Sequence, residues 1–138
     1  MSFYVLAYVA TALVFFGIDA VWLTVMGTAF YRPMMGDMVL DKFRAAPAIA
    51  FYLIYVAGIV VFAIAPALAS GKWTTALVFG AFFGFCAYAT YDLTNQATLK
   101  AWPLALTLVD LAWGTVLTAA AASLGYVIAR AIHGAWLS

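Results

Sequence analysis

Charge is scarce in this chain of 138 residues: 8% of the residues are charged, against about 25% in a soluble domain. Glutamate is absent, and all five acids are aspartates. The six Lys and Arg leave a net charge of +1, too little for a nucleic-acid surface, so no nucleic-acid partner is expected. Cys86 is the only cysteine, which excludes an intrachain disulfide, a CxxC redox pair and a thiolate metal site. His133 is the only histidine, and Ser2, Ser70, Ser123 and Ser138 are scattered, so a Ser–His–Asp arrangement has no basis. A zinc site would rest almost wholly on Asp, which is unusual for zinc. There is no glycine-rich phosphate loop. The residues call for no metal and no cofactor. Chemistry must come from Asp, Asn, Tyr, Trp, Arg and Lys.

What the chain has in quantity is apolar surface: 69% of the residues, with a mean hydropathy of +1.11. A soluble globule cannot cover that much, and its natural partner is the lipid bilayer. A spanning helix needs about 20 apolar residues. Four runs qualify, at about residues 3–29, 48–69, 74–93 and 103–129. Pro47 and Pro103 stand at helix starts, where a missing N–H costs nothing. Ser70-Gly71-Lys72 reads as a tight turn. The fold class is therefore all-α. Residues 1–138 read as one membrane domain, a four-transmembrane-helix bundle. The first run is a poor signal peptide, because it lacks a basic leader, is too long and contains Asp19.

The segment from Tyr31 to Ala46 holds five of the charges. Arg32-Pro33 is expected to break the first helix. Asp37, Asp41 and Arg44 then recur at i, i+4 and i+7, which predicts a short amphipathic helix at the membrane surface between spans one and two. A solvated loop is the alternative. Basic residues also set an orientation. Let side A carry the termini and side B the other ends. Arg32, Lys42, Arg44 and Lys100 fall on B, and Lys72 and Arg130 on A. The excess makes B cytoplasmic and both termini periplasmic.

An acid inside a span costs about 2.5–3.5 kcal/mol on the insertion scale, so each one asks for a functional explanation. Asp19 lies about 15 Å from the B end of span one, and Asp110 about 10 Å into span four, at about 1.5 Å per residue. Asp92 lies at the B end of span three. All three occupy one half of the membrane. Asp19 and Trp22, and again Asp110 and Trp113, are Asp-x-x-Trp pairs, a spacing that puts carboxylate and indole on one helix face. Tyr88, Tyr91, Asp92 and Asn95 are expected to share a face of span three, and Tyr52 and Tyr55 stand near the B end of span two. Pointing inward, these residues would line a funnel open toward B, with Arg32, Arg44 and Lys100 at its mouth. Gly80-x-x-x-Gly84, Ala119 to Ala122 and Gly125 are expected to let helices approach closely.

Asp19 to Leu23, Phe30 to Pro33, Tyr91 to Asn95 and Lys100 to Pro103, followed by the Asp110/Trp113 pair, give the chain a resemblance. It resembles a family of small bacterial inner-membrane proteins known only as predicted membrane proteins of unknown function. The resemblance covers nearly the whole chain. It implies four spans in a bacterial inner membrane, and no reaction.

The residues themselves favour a pocket for a lipid-soluble or amphipathic small molecule. Asp19, Asp92 and Asp110 are the candidate acid–base residues, as in an isomerase. Trp22, Trp113, Tyr88, Tyr91, Asn95, Arg32 and Lys100 are the candidate ligand-binding residues. A desolvated carboxyl can hold its proton near neutral pH and act as a general acid, and an indole face can hold a cation. Three alternatives stay open. One is a proton- or cation-coupled transporter working as a homo-oligomer. Another is a Mg²⁺-dependent lipid-phosphate enzyme using Asp37, Asp41, Asp92 and Asn95. The last is a small subunit of a larger membrane complex.

Overall fold

A computed structural model describes residues 2–40 and 42–137. Among the described residues there are helices and turns but no strand. Four helical stretches are long and apolar enough to cross a membrane: Phe3–Met38, Ala45–Ser70, Trp73–Thr98 and Leu104–Ala135. The chain is thus an all-α polytopic membrane protein. Its outward side chains agree: Leu13, Phe16, Ile54 and Phe82 are each at least 60% exposed, an apolar surface that only lipid covers well.

Helix α1 (Phe3–Met26) opens on Ser2, whose hydroxyl accepts the Val5 N–H. Arg32-Pro33 does not break it. The helix widens into a π-turn, Gly27–Tyr31, and runs on through α2 (Arg32–Met35) and a 3₁₀ turn, Gly36–Met38. The second span repeats the device. Helix α3 (Ala45–Ile59) widens at Val60–Ile64 and continues as α4 (Ala65–Ser70), which carries Pro66. In both places the π-turn ends two residues before the proline. A proline cannot bond the carbonyl four residues back, and its ring collides with it. The wide turn avoids both problems, with the Arg32 N–H on the Gly27 carbonyl and the Ala65 N–H on the Val60 carbonyl.

The expected surface helix over Tyr31 to Ala46 is corrected accordingly. Its first half prolongs span one, and Val39, Leu40, Lys42, Phe43 and Arg44 are not helical. Asp41 lies outside the described residues. The Ser70-Gly71-Lys72 turn forms as expected. Gly71 takes φ +74, and its N–H closes α4 on the Ala67 carbonyl.

Helices α5 (Trp73–Thr98) and α6 (Leu104–Leu137) follow. Helix α6 packs along both α5 and α1. The glycine seam explains the first contact. A Cβ on Gly84 would lie 2.2 Å from the Gly114 carbonyl oxygen, and one on Gly80 would lie 2.8 Å from the Ala122 methyl. Phe15, Ile59, Ile64 and Leu117 fill the interior beside this seam. His133, at the far end of α6 from Asp110, packs edge-on against Phe3.

Candidate functional site

Asp19, Asp92 and Asp110 are all buried, and Asp92 is fully so. They come from three helices, α1, α5 and α6. Asp110 interacts electrostatically with both of the others. The three acids therefore belong to one neighbourhood.

The Asp-x-x-Trp motifs meet there crosswise. Helices α1 and α6 run in opposite directions, so the tryptophan of each motif lies level with the acid of the other. The Trp22 and Trp113 rings stack, with centroids 4.0 Å apart and planes inclined by 7°. The Trp113 Nε1–H donates to Asp19 Oδ1 at 3.2 Å. The Trp22 Nε1–H donates to the Tyr31 hydroxyl at 3.1 Å, and that hydroxyl donates to Asp110 Oδ1 at 2.5 Å. The Tyr52 hydroxyl donates to the other oxygen of Asp19. Two acids from two spans are thus held by neutral donors around one indole stack.

Asp92 is held differently. Neither of its oxygens has a hydrogen-bond partner, and the buried Oε1 of Gln96, one turn further along α5, has none either. Around Asp92 stand Asp110, Trp102, Tyr31 and Tyr91. Trp102 is buried in the loop that joins α5 to α6, and its Nε1–H donates to Thr107 Oγ1 at 3.2 Å.

The other expected ligand-binding residues separate. Tyr88 is half-buried near Asp19 and Asp110, its ring seated on Gly114, where a Cβ would come within 2.3 Å. Tyr91 is 53% exposed and meets Trp102 edge-on. Adjacent residues lie about 100° apart around a helix, so with Asp92 sealed inside, Tyr91 falls to the flank of the expected face. Asn95 is half-buried beside Tyr91, whereas Arg32 and Lys100 are exposed. Among the described residues no three His, Cys, Asp or Glu side chains gather as metal ligands would. Two apolar grooves, of about 340 and 240 Å³, lie elsewhere, the larger lined by Tyr4, Tyr8, Ala57 and Val60.

The family model described as "Predicted membrane protein (DUF2177)" matches residues 4–127, most of the chain. The chain belongs to this family. No curated protein and no solved structure matches it. The crossed motifs, the unpaired Asp92 and the Trp102 loop all lie inside the stretch matched by the DUF2177 model.

Tyr31, Trp102 and Gln96 were not expected in the site. Nine residues separate Trp22 from Tyr31, about two and a half turns of an α-helix, which would place them on opposite faces. The π-turn rotates Tyr31 back under the indole. Pro33 is the signal for it in the sequence, since a proline two residues on is accommodated by a widened turn as well as by a break. Replacing Tyr31 with Phe removes the bridge between the Trp22 N–H and Asp110. Tyr31→Phe should lower stability by about 1 kcal/mol, the size of an interhelical hydrogen bond in a membrane. Detergent unfolding followed by tryptophan fluorescence would measure it. An unchanged midpoint would show that the bridge contributes nothing.

Proposed function

We propose that this DUF2177 protein binds the polar head of a lipid-soluble or amphipathic small molecule among Asp19, Asp92 and Asp110, and exchanges protons with it there. The observation that carries this reading is Asp92, a fully buried acid with no partner at either oxygen. A buried polar group left unpaired costs about 1–3 kcal/mol, and more if charged. Such a cost is reasonable where a ligand supplies the missing donors. Asp110 adjoins Asp92, close enough for the two carboxyls to exchange a proton, and the Trp22 N–H and Tyr31 O–H hold Asp110 in place as donors. Tyr88 and Tyr91 flank the acids, and Asn95, Arg32 and Lys100 stand toward the loops of side B. The test is stabilisation by a lipid extract of the host membrane, compared between wild type and acid-to-amide variants.

The same reading makes side B cytoplasmic, in a bacterial inner membrane. The excess of Arg32, Lys42, Arg44 and Lys100 supports it. Cysteines placed singly at Ser70 and Thr98, both exposed, in a Cys86→Ala background should label from opposite sides. In whole cells an impermeant maleimide should reach the Ser70 position alone. Labelling of the Thr98 position alone would reverse the orientation.

A further inference from the structure

We infer that Asp92 and Gln96 receive a protonated primary amine, so that the ligand of this site is an amphipathic ammonium compound. The inference rests on the proposed function above and names its ligand class.

Three acceptor atoms on one side of α5 lack partners: both oxygens of Asp92 and the Oε1 of Gln96. Two neighbouring donors are already used. The Tyr31 O–H goes to Asp110, and the Trp102 N–H goes to Thr107. The Tyr91 hydroxyl accepts from the Asn95 amide and belongs to a half-exposed side chain, away from the sealed Asp92. Asp92 and Asp110 can share one proton, which serves one Asp92 oxygen; the donors for its other oxygen and for the Gln96 Oε1 come from outside the chain. A primary ammonium carries three N–H donors and no acceptor. A hydroxyl carries one donor, and a quaternary ammonium carries none.

Charge points the same way. Asp92 and Asp110 adjoin each other, and the side chains bonded to Asp110 and Asp19 are Tyr31, Tyr52 and Trp113, all neutral. A cation beside Asp92 would relieve two acids at once. The edge-to-face rings of Tyr91 and Trp102, 5.6 Å apart, border the place and suit a cation with an attached chain. A bare divalent ion fits less well. It asks for six or more oxygens, and no third carboxylate joins the pair at metal-ligand range among the described residues.

The ammonium could belong to a free amphipathic amine or to an aminophospholipid headgroup, and one set of titrations separates them. Purified protein in a neutral detergent is titrated with dodecylamine, dodecanol and dodecyltrimethylammonium at pH 7, where the amine is protonated. Tryptophan fluorescence and the thermal midpoint report binding. Dodecylamine is expected to bind at least tenfold more tightly than either other compound. Asp92→Asn should weaken it at least tenfold, and Gln96→Leu about threefold. Equal affinity for the three probes, or an unchanged dodecylamine Kd in Asp92→Asn, overturns the inference. The three-probe comparison needs wild type alone, so a variant that fails to fold does not blunt it.

In nanodiscs, phosphatidylethanolamine that competes with dodecylamine where phosphatidylcholine does not assigns the ammonium to a headgroup. Absence of competition assigns it to a free amine. Stabilisation by host lipids together with equal binding of amine and alcohol would discard the ammonium and leave the proposed site standing. Host-lipid stabilisation that is the same in wild type, Asp19→Asn and Asp110→Asn would discard the site itself.

Discussion

A lipid extract of the host membrane should raise the thermal midpoint of the wild-type protein, and Asp19→Asn and Asp110→Asn should lose most of that rise. A ligand at a hundredfold excess over its Kd stabilises a protein by about 2.7 kcal/mol. The variants are expected to fold. Asp19 accepts from Trp113 at one oxygen and from Tyr52 at the other. An amide can present its oxygen to the indole N–H, which only donates, and its NH₂ to the tyrosine hydroxyl, which can turn and accept. Shape and hydrogen bonds survive, while the charge and the exchangeable carboxyl proton do not. If the acids are purely structural, a buried acid replaced by a neutral isostere leaves stability equal or higher. The extract would then stabilise all three proteins alike, and Asp19 and Asp110 would leave the site. Basal stability and ligand-induced stability must therefore be read separately.

Gly84→Ala should be the most damaging single methyl in the membrane region. Its Cβ would stand 2.2 Å from the Gly114 carbonyl oxygen and 2.6 Å from the Thr118 hydroxyl oxygen. The carbonyl is backbone of α6 and cannot turn aside, so α5 and α6 must separate. Overpacking of this kind costs about 1–3 kcal/mol, and the upper end is expected because the obstacle is main chain. The damage should reach the site, because Asp92 and Tyr88 ride on α5 while Asp110 and Gly114 ride on α6. The Tyr55–Thr118 hydroxyl contact of 2.7 Å should also be disturbed. Gly17→Ala is the control. A Cβ there meets nothing within 4 Å, and an alanine in a helix interior is favoured over glycine by about 1 kcal/mol. Detergent unfolding should show a lower midpoint for Gly84→Ala and none for Gly17→Ala. Equal midpoints would mean that the α5–α6 contact is looser than its geometry indicates.

Much of this protein is legible in its residues, for reasons that are local. Twenty apolar residues in a row have few folded destinations other than a bilayer, so the four spans follow from composition and length. An acid's depth follows from its distance to the span end, because the rise per residue is constant. Glycines four apart mark a close helix contact wherever they fall, and Gly80 and Gly84 do so here. The Asp-x-x-Trp spacing places each acid beside its own tryptophan on one helix face.

Periodicity gives directions around a single helix axis and is silent about how that helix is rotated against its neighbours. The exchange of partners between the two motifs depends on that rotation, and so does the Trp22–Trp113 stack. Tyr31 reaches Asp110 only because a π-turn before Pro33 changes the angle per residue, which a fixed period of 3.6 cannot express. Tyr91 and Asp92 are adjacent in the chain, yet one is half exposed and the other sealed. Trp102, brought back by the turn into α6, stands beside Asp92 with its N–H already committed to Thr107. Whether a buried acid finds a donor is a property of everything packed around it, and those neighbours come from three helices and a loop.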